Sequence, residues 1–141
     1  MTRLLLRTLA YFRTGGACRV LYLPQTRAEL AGAVRQIQVS DTPYFLLGAG
    51  TNSLVMDEMW NGAVIAFRRA TALTVHPDGR VRAEAGVDNS HLALAALGAG
   101  LSGAEWMFRL PGQLGATTRM NARCYGGEIS QIVTRVEVVT K

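Results

Sequence analysis

The stretch YFLLGAGTNSLVMDEMWNGAVIAF, residues 44–67, decides the fold. An apolar run leads straight into Gly48-Ala49-Gly50-Thr51-Asn52-Ser53, and a second apolar run, GAVIAF (62–67), follows. Both runs are short, continuous and bounded by turn residues, the pattern of strands buried on both faces. The two glycines between them permit φ values and a closeness of backbone approach that side chains forbid. Successive bare N–H groups of this kind form concave nests for oxyanions, and Thr51, Asn52 and Ser53 add side-chain donors to the rim. The loop is not a Walker A sequence, because no Gly-Lys-Ser/Thr follows, and Ser53 stands where a dinucleotide fingerprint needs its third glycine. Taken alone, it also reads as a tight turn with no ligand.

Outward from this stretch the chain alternates strands and helices. ACRVLYLP (17–24) is rich in β-formers and is stopped by Pro24, which cannot continue a ladder. In residues 26–39, Leu30, Ala33, Val34 and Ile37 recur at helical spacing, with Thr26 and Glu29 at the separation of a capping box. ALTVHPDGRVRAEAG (72–86) predicts a hairpin around Pro77-Asp78-Gly79. Asp88, Asn89 and Ser90 offer N-caps for a helix in which Leu92, Ala95 and Ala96 share a face and Gly98 and Gly100 end it. IVTRVEVV (132–139) reads as one more strand. The sum is an α+β domain whose chemistry lies in its connections.

A second bare segment is GAEWMFRLPGQLGATTRMNARCYGGE, residues 103–128. Pro111-Gly112, Gly115-Ala116, Asn121-Ala122 and Tyr125-Gly126-Gly127 bury almost no side-chain area, which core packing does not explain. Two such segments and a net charge of +5 suit a ligand with a diphosphate and an extended planar part held between them. Glu105 and Trp106 read as the anchor after the preceding helix, and His76 and His91 as a turn residue and a first-turn helix residue.

Composition narrows the classes. At 141 residues the chain suits one compact domain, able to bury roughly two thirds of its unfolded surface. Its 49% hydrophobic and 18% charged content argues against disorder. The basic side chains are scattered without interleaved aromatics, so no nucleic-acid groove is expected. Cys18 and Cys124 lie far apart and no His stands at ligand spacing, so neither a metal site nor a disulfide framework is signalled. Arg7 interrupts the opening apolar run and HLALAALGAGLSGA is too short to span a bilayer; no signal peptide, no membrane span and a cytoplasmic setting are expected.

Taken together, RTGGACRVLYLPQTRAEL (13–30), LLGAGTNSLVMDEMWNGAVI (46–65), AGVDNSHLALAALGAGLSGAEWM (85–107) and LPGQLGATTRMNARCYGGEI (110–129) resemble the flavin-binding region of the UDP-N-acetylenolpyruvoylglucosamine reductase family. The resemblance implies an FAD-binding fold of the vanillyl-alcohol-oxidase type. Its two small α+β subdomains would be residues 1–67 and 68–141, the second incomplete and the substrate-binding domain absent. It also implies that Gly48, Ala49, Gly50, Thr51, Asn52 and Ser53 meet the FAD diphosphate, and that Pro111, Gly112, Gly115, Ala116, Asn121, Ala122, Tyr125 and Gly126 form a second flavin-facing segment. NADPH would be co-substrate and a UDP-sugar the substrate of the complete enzyme only, with a partner chain able to cover the C-terminal edge at Val138 and Val139. The family's Gly-Tyr-Arg and Phe-Lys-Asn-Pro motifs do not occur, so no catalytic residue is assigned.

Two departures qualify the likeness. Arg109 and Arg123 stand where the family carries glycine. If those positions need φ > 0 or touch the flavin, the side chain costs on the order of 1 kcal/mol or blocks the cofactor. The alternative function is then a non-catalytic relative with a degenerate flavin site, acting as a binding or interaction domain.

Overall fold

The computed structural model describes residues 5–140. They form two compact units: one runs through Arg69 and takes in the segment from Val138, and the other is Ala70–Glu137.

The first unit is a three-stranded parallel sheet with one crossover helix. Strand β1 (Cys18–Tyr22) leads through α1 (Arg27–Val39) to β2 (Tyr44–Leu47) and then β3 (Trp60–Ala66), in the spatial order β1-β3-β2. Thr26 caps α1 with its hydroxyl, which accepts the Glu29 N–H at 3.2 Å. The reciprocal half of the expected capping box is displaced by one residue, since the Glu29 carboxylate accepts from the Gln25 N–H at 2.9 Å. Ile37 packs against Ala63 and Ile65 with Leu30 and Val34 beside it, the face that the helical spacing predicted. The other face of β3 gives Val64 and Ala66 to a cluster with Leu6 and Leu47. Ile65 is fully buried, a side chain whose removal from water stabilises by roughly 1.5–3 kcal/mol.

The reading of both apolar runs as doubly buried strands holds for β3 and fails for β2. Tyr44, Phe45 and Leu46 are 44%, 46% and 52% exposed, and only Leu47 is buried. The reason is topological: β2 ends up at the sheet edge with one paired neighbour, and an apolar composition does not distinguish an edge strand from a central one.

The second unit begins with the antiparallel hairpin of β4 (Leu73–Val75) and β5 (Val81–Ala83). Its turn is fastened by Asp78, whose carboxylate accepts the Arg80 N–H at 3.1 Å and pairs with the Arg80 guanidinium at 2.6 Å. Helix α2 (Asn89–Gly98) is capped by Asp88, which accepts from the N–H groups of Ser90 and His91. Leu92, Ala93 and Ala96 form its buried face, so Ala93 takes the place expected for Ala95, which is half-buried. Gly100, at φ +70°, turns the chain out of the helix and lets the Leu101 N–H reach back to the Ala96 carbonyl at 2.9 Å. These residues share a core with Val87, Trp106, Met107 and Ile129.

The segment expected as an open loop is instead folded. A 3₁₀ turn at Glu105–Met107 is followed by α3 (Leu114–Arg119) and by a hairpin of β6 (Arg123–Cys124) and β7 (Gly127–Glu128). The strand expected over 132–139 is not formed. A 3₁₀ turn at Ile129–Gln131 precedes it, and no described strand pairs with it, leaving Val136 and Val138 54% and 72% exposed. High β-propensity makes no strand without a ladder partner.

Candidate functional site

Loop 48–53 leaves the C-terminal end of β2, the end at which parallel sheets present ligands. The N–H groups of Gly48, Ala49, Gly50, Asn52 and Ser53 donate to no backbone carbonyl among the described residues. Asn52 is exposed and Ser53 half-buried, and neither side chain has a hydrogen-bond partner among the described residues. Thr51 is half-buried and engaged. Gly50, buried at φ +74°, is bare for a reason inside the protein: a Cβ there would lie 2.9 Å from the Ala10 Cα and 3.0 Å from the Tyr11 nitrogen. One of the two loop glycines is therefore required by the segment packed on it, whatever the loop binds.

The second segment lies in the other unit. Pro111 is exposed, and Gly112 is buried at φ +141° with a carbonyl that accepts the Asn89 N–H at 3.2 Å. The Leu114 and Gly115 N–H groups are held by the carbonyls of Val87 and Ala85, each at 2.8 Å. Small residues here do have packing reasons, contrary to the sequence reading. A Cβ on Gly115 would meet the Ala85 Cβ at 2.7 Å, and one on Gly127 would lie 2.2 Å from the Trp106 ring. Ala116 is exposed on α3, and Ala122 is half-buried with its carbonyl accepting the Ile129 N–H. Glu105 and Trp106 anchor the turn after α2 as expected, the carboxylate accepting the Gly103 N–H and the indole N–H donating to the Gly103 carbonyl.

Tyr125 and Gly126 make the two-residue turn of the β6–β7 hairpin, with φ +48° and +83°, both positive as a type I′ turn demands. A Cβ on Gly126 would meet nothing within 4 Å. The Tyr125 ring is 84% exposed and packs under no loop. Beside it opens a concavity of about 430 Å³ lined by residues 123–128 and Gln131.

The two arginines part company. Arg109 does occupy a left-handed backbone position, φ +62°, fixed by its N–H donating to the Ser90 hydroxyl at 3.0 Å. Its exposed guanidinium sits 5.8 Å from the centroid of the Phe108 ring. Arg123 has no positive φ, which removes the backbone objection to it; it lies on β6 and pairs with Glu128 at 3.1 Å.

Sequence reading passed over two side chains. Glu128 accepts from Ser130 and Asn121, and these bonds, with Arg123 beside them, hold its carboxyl below the usual glutamate range. A Y-G-G turn followed at once by an acidic residue is the signal that could have found it. Gln113 is buried, its amide donating to the Gly86 carbonyl at 3.0 Å while its own oxygen has no partner among the described residues. Nothing in a lone Gln after Pro-Gly announces that. Cys18 and Cys124 are free half-buried thiols, the first pushed up in pKa by burial. His76 lies in the β4–β5 turn and His91 in the first turn of α2. Among the described residues no group of three ligating side chains converges, and no helix is long and apolar enough to cross a membrane.

Residues 18–141 match the family model described as an FAD binding domain. The chain belongs to the FAD-binding domain family. Its fold is an α+β FAD-binding fold and its cofactor is FAD. The chain is also similar to curated proteins named UDP-N-acetylenolpyruvoylglucosamine reductase. Identity is 40% over 132 residues to that of Maricaulis maris, covering 93% of this chain and 42% of the relative. It is 33% over 137 residues to that of Clostridium novyi, covering 96% and 44%. It is 36% over 128 residues to that of Caldanaerobacter subterraneus, covering 91% and 42%. The chain thus spans less than half the length of these relatives. The donor chemistry fits FAD: the N–H groups of Gly48, Ala49, Gly50 and Asn52, the Asn52 amide and the Ser53 hydroxyl suit an acceptor-rich diphosphate, and an exposed phenol at Tyr125 suits a planar ring.

Proposed function

We propose that this chain is the FAD-binding portion of a reductase that converts UDP-N-acetylglucosamine enolpyruvate to UDP-N-acetylmuramate, a peptidoglycan precursor, with NADPH. The observation that carries the reading is that the N–H groups of Gly48, Ala49, Gly50, Asn52 and Ser53, at the C-terminal end of a parallel strand, donate to no backbone carbonyl among the described residues. The similarity to reductases over more than nine tenths of the chain supports this choice of reaction.

Bound FAD supplies the hydride-accepting and hydride-donating chemistry that reduction of an enolpyruvyl double bond requires. The chain's own residues bind and orient it. Gly48, Ala49, Gly50, Asn52 and Ser53 offer N–H groups to the diphosphate, with the Asn52 amide and the Ser53 hydroxyl as side-chain donors; Thr51 belongs to the same turn. In the second unit the family resemblance assigns Gly112, Ala116 and the Tyr125–Gly126 turn to the cofactor, while Gly115, Asn121 and Ala122 hold that segment in shape and Pro111 belongs to it. Addition of hydride to the double bond must be completed by a proton at the neighbouring carbon. No residue of this chain is assigned that proton. The exposed Val136 and Val138 suit a further strand, from the rest of a complete enzyme or from a partner chain. A cytoplasmic setting goes with this reading, because its nucleotide-sugar and NADPH substrates are water-soluble.

The test is complementation. Joined to the portion of the Maricaulis maris reductase that it does not span, the chain is expected to support NADPH oxidation dependent on the enolpyruvyl sugar. A folded, FAD-loaded chimera without turnover would overturn the assignment.

A further inference from the structure

We infer that Glu128 is a positioning residue: it holds the Tyr125–Gly126 turn in the shape that meets FAD, with Arg123 as its charged partner. The inference rests on the reading of this turn as flavin-facing.

The hairpin that carries the turn has only two paired positions, Arg123 with Glu128 and Cys124 with Gly127. A ladder so short does not order itself in water. Tyr125 adds nothing of its own, because its ring is 84% exposed and its hydroxyl has no partner among the described residues. The direction of the phenol is therefore set by the backbone of the turn, and the backbone is set by what grips the two strands. Glu128 is the side chain that does so. Its carboxylate accepts from the Asn121 amide at 2.5 Å and from the Ser130 hydroxyl at 2.6 Å, and it pairs with the Arg123 guanidinium at 3.1 Å. The circuit closes on itself. The Ser130 N–H donates to the Asn121 side-chain oxygen at 3.3 Å, and the Glu128 N–H to the Gln131 side-chain oxygen at 3.0 Å.

One carboxylate thus ties together Asn121, two residues before β6, the first residue of β6 and the 3₁₀ turn after β7. Hydrogen bonds to an ionised acceptor are the strong ones, and they steady two non-glycine residues held at positive φ, Asn121 at +46° and Tyr125 at +48°. Asn121 changes role accordingly. Both ends of its carboxamide are engaged inside the protein, so it acts on the cofactor through the hairpin. Arg123 also gains a role that the glycine of the family pattern cannot fill, as the cross-strand cation facing Glu128.

The test is a double-mutant cycle on FAD affinity, read by quenching of flavin fluorescence, with Glu128→Ala, Tyr125→Ala and both together. Glu128→Ala is expected to weaken FAD about tenfold, the lower end of what losing an orienting partner costs at metal sites. In the Tyr125→Ala background the same change is expected to shift affinity less than about twofold, because there is no longer a phenol to aim. Far-UV circular dichroism and Trp106 emission of the apo protein should stay unchanged. If Glu128→Ala does not fold, Glu128→Gln, which keeps the shape and removes the charge opposite Arg123, takes its place in the cycle. Equal losses in both backgrounds, or no loss, would overturn the role of Glu128 while leaving FAD binding intact. Absence of FAD binding by the unaltered chain would instead overturn the flavin-facing reading beneath it.

Discussion

Replacing Gly127 by Ala is expected to destabilise the second unit by about 3 kcal/mol, working from overpacking and one weakened hydrogen bond. The new Cβ would lie 2.2 Å from Cγ and Cδ1 of Trp106 and 2.8 Å from its Cβ. Carbon atoms settle at roughly 3.5–4.0 Å, so the indole has to retreat by more than about 1 Å. It has little freedom to do so. Trp106 is 8% exposed in the core with Val87, Leu92 and Met107, and its N–H donates to the Gly103 carbonyl at 3.1 Å. Overpacking a fixed core costs roughly 1–3 kcal/mol and stretching that hydrogen bond about 1 more. Two other glycines calibrate the effect. At Gly126 an added Cβ meets nothing within 4 Å, so Ala there bears only the strain of φ +83°, about 1 kcal/mol. At Gly98, the last residue of α2 with open space around it, Ala should stabilise by up to roughly 0.5–1 kcal/mol, the helix-interior value. Urea unfolding followed by Trp106 emission in a Trp60→Phe background gives the ranking directly. A Gly127→Ala protein within about 0.5 kcal/mol of the parent, or one more stable than Gly126→Ala, would mean that the glycine is not kept for the indole.

Arg109→Gly should leave stability within about 0.5 kcal/mol, because relief of the left-handed backbone is offset by unfolded-chain entropy and the lost Phe108 contact, whereas Arg109→Val should cost about 1 kcal/mol or more. The same pair should leave FAD affinity within about twofold of the parent by titration, since the Arg109 side chain is exposed. Glu128 has a depressed carboxyl pKa, so its contribution is present above the unfolded value of about 4.3 and fades as pH falls through the lower folded value; Glu128→Gln should flatten that acid limb in melts taken downward from about pH 5. The groups facing it are Arg123, Asn121 and Ser130, of which Arg123 alone is charged. Ile65→Ala, in the central strand of the first unit, should cost roughly 2–5 kcal/mol in the same unfolding assay.

What was legible in the sequence was what local rules carry. The spacing of Leu30, Ala33, Val34 and Ile37 gave α1 its buried face, Pro77-Asp78-Gly79 gave the β4–β5 turn, and Asp88 gave the α2 cap. What was not legible depended on neighbours far along the chain. Tyr44–Leu46 look like a central strand and become an edge, because the partner count of a strand is a property of the sheet. Residues 132–139 have every local mark of a strand and form none without a partner. In sequence the glycines look bare for a ligand, yet Gly50, Gly115 and Gly127 are each required by protein atoms brought up from Ala10, Ala85 and Trp106. The candidate site is read from whole motifs, which point to loop 48–53 and the Tyr125–Gly126 turn. Glu128 escaped because its partners Asn121 and Ser130 converge on it only once the hairpin closes.

The measurement to make is titration of the purified chain with FAD, followed by flavin fluorescence and by absorbance of the complex after gel filtration. One FAD per chain, weakened when Asn52 and Ser53 are both changed to Ala, is the predicted result. A folded protein that leaves the column colourless and does not quench the flavin would contradict the assignment of loop 48–53 as the cradle of the diphosphate.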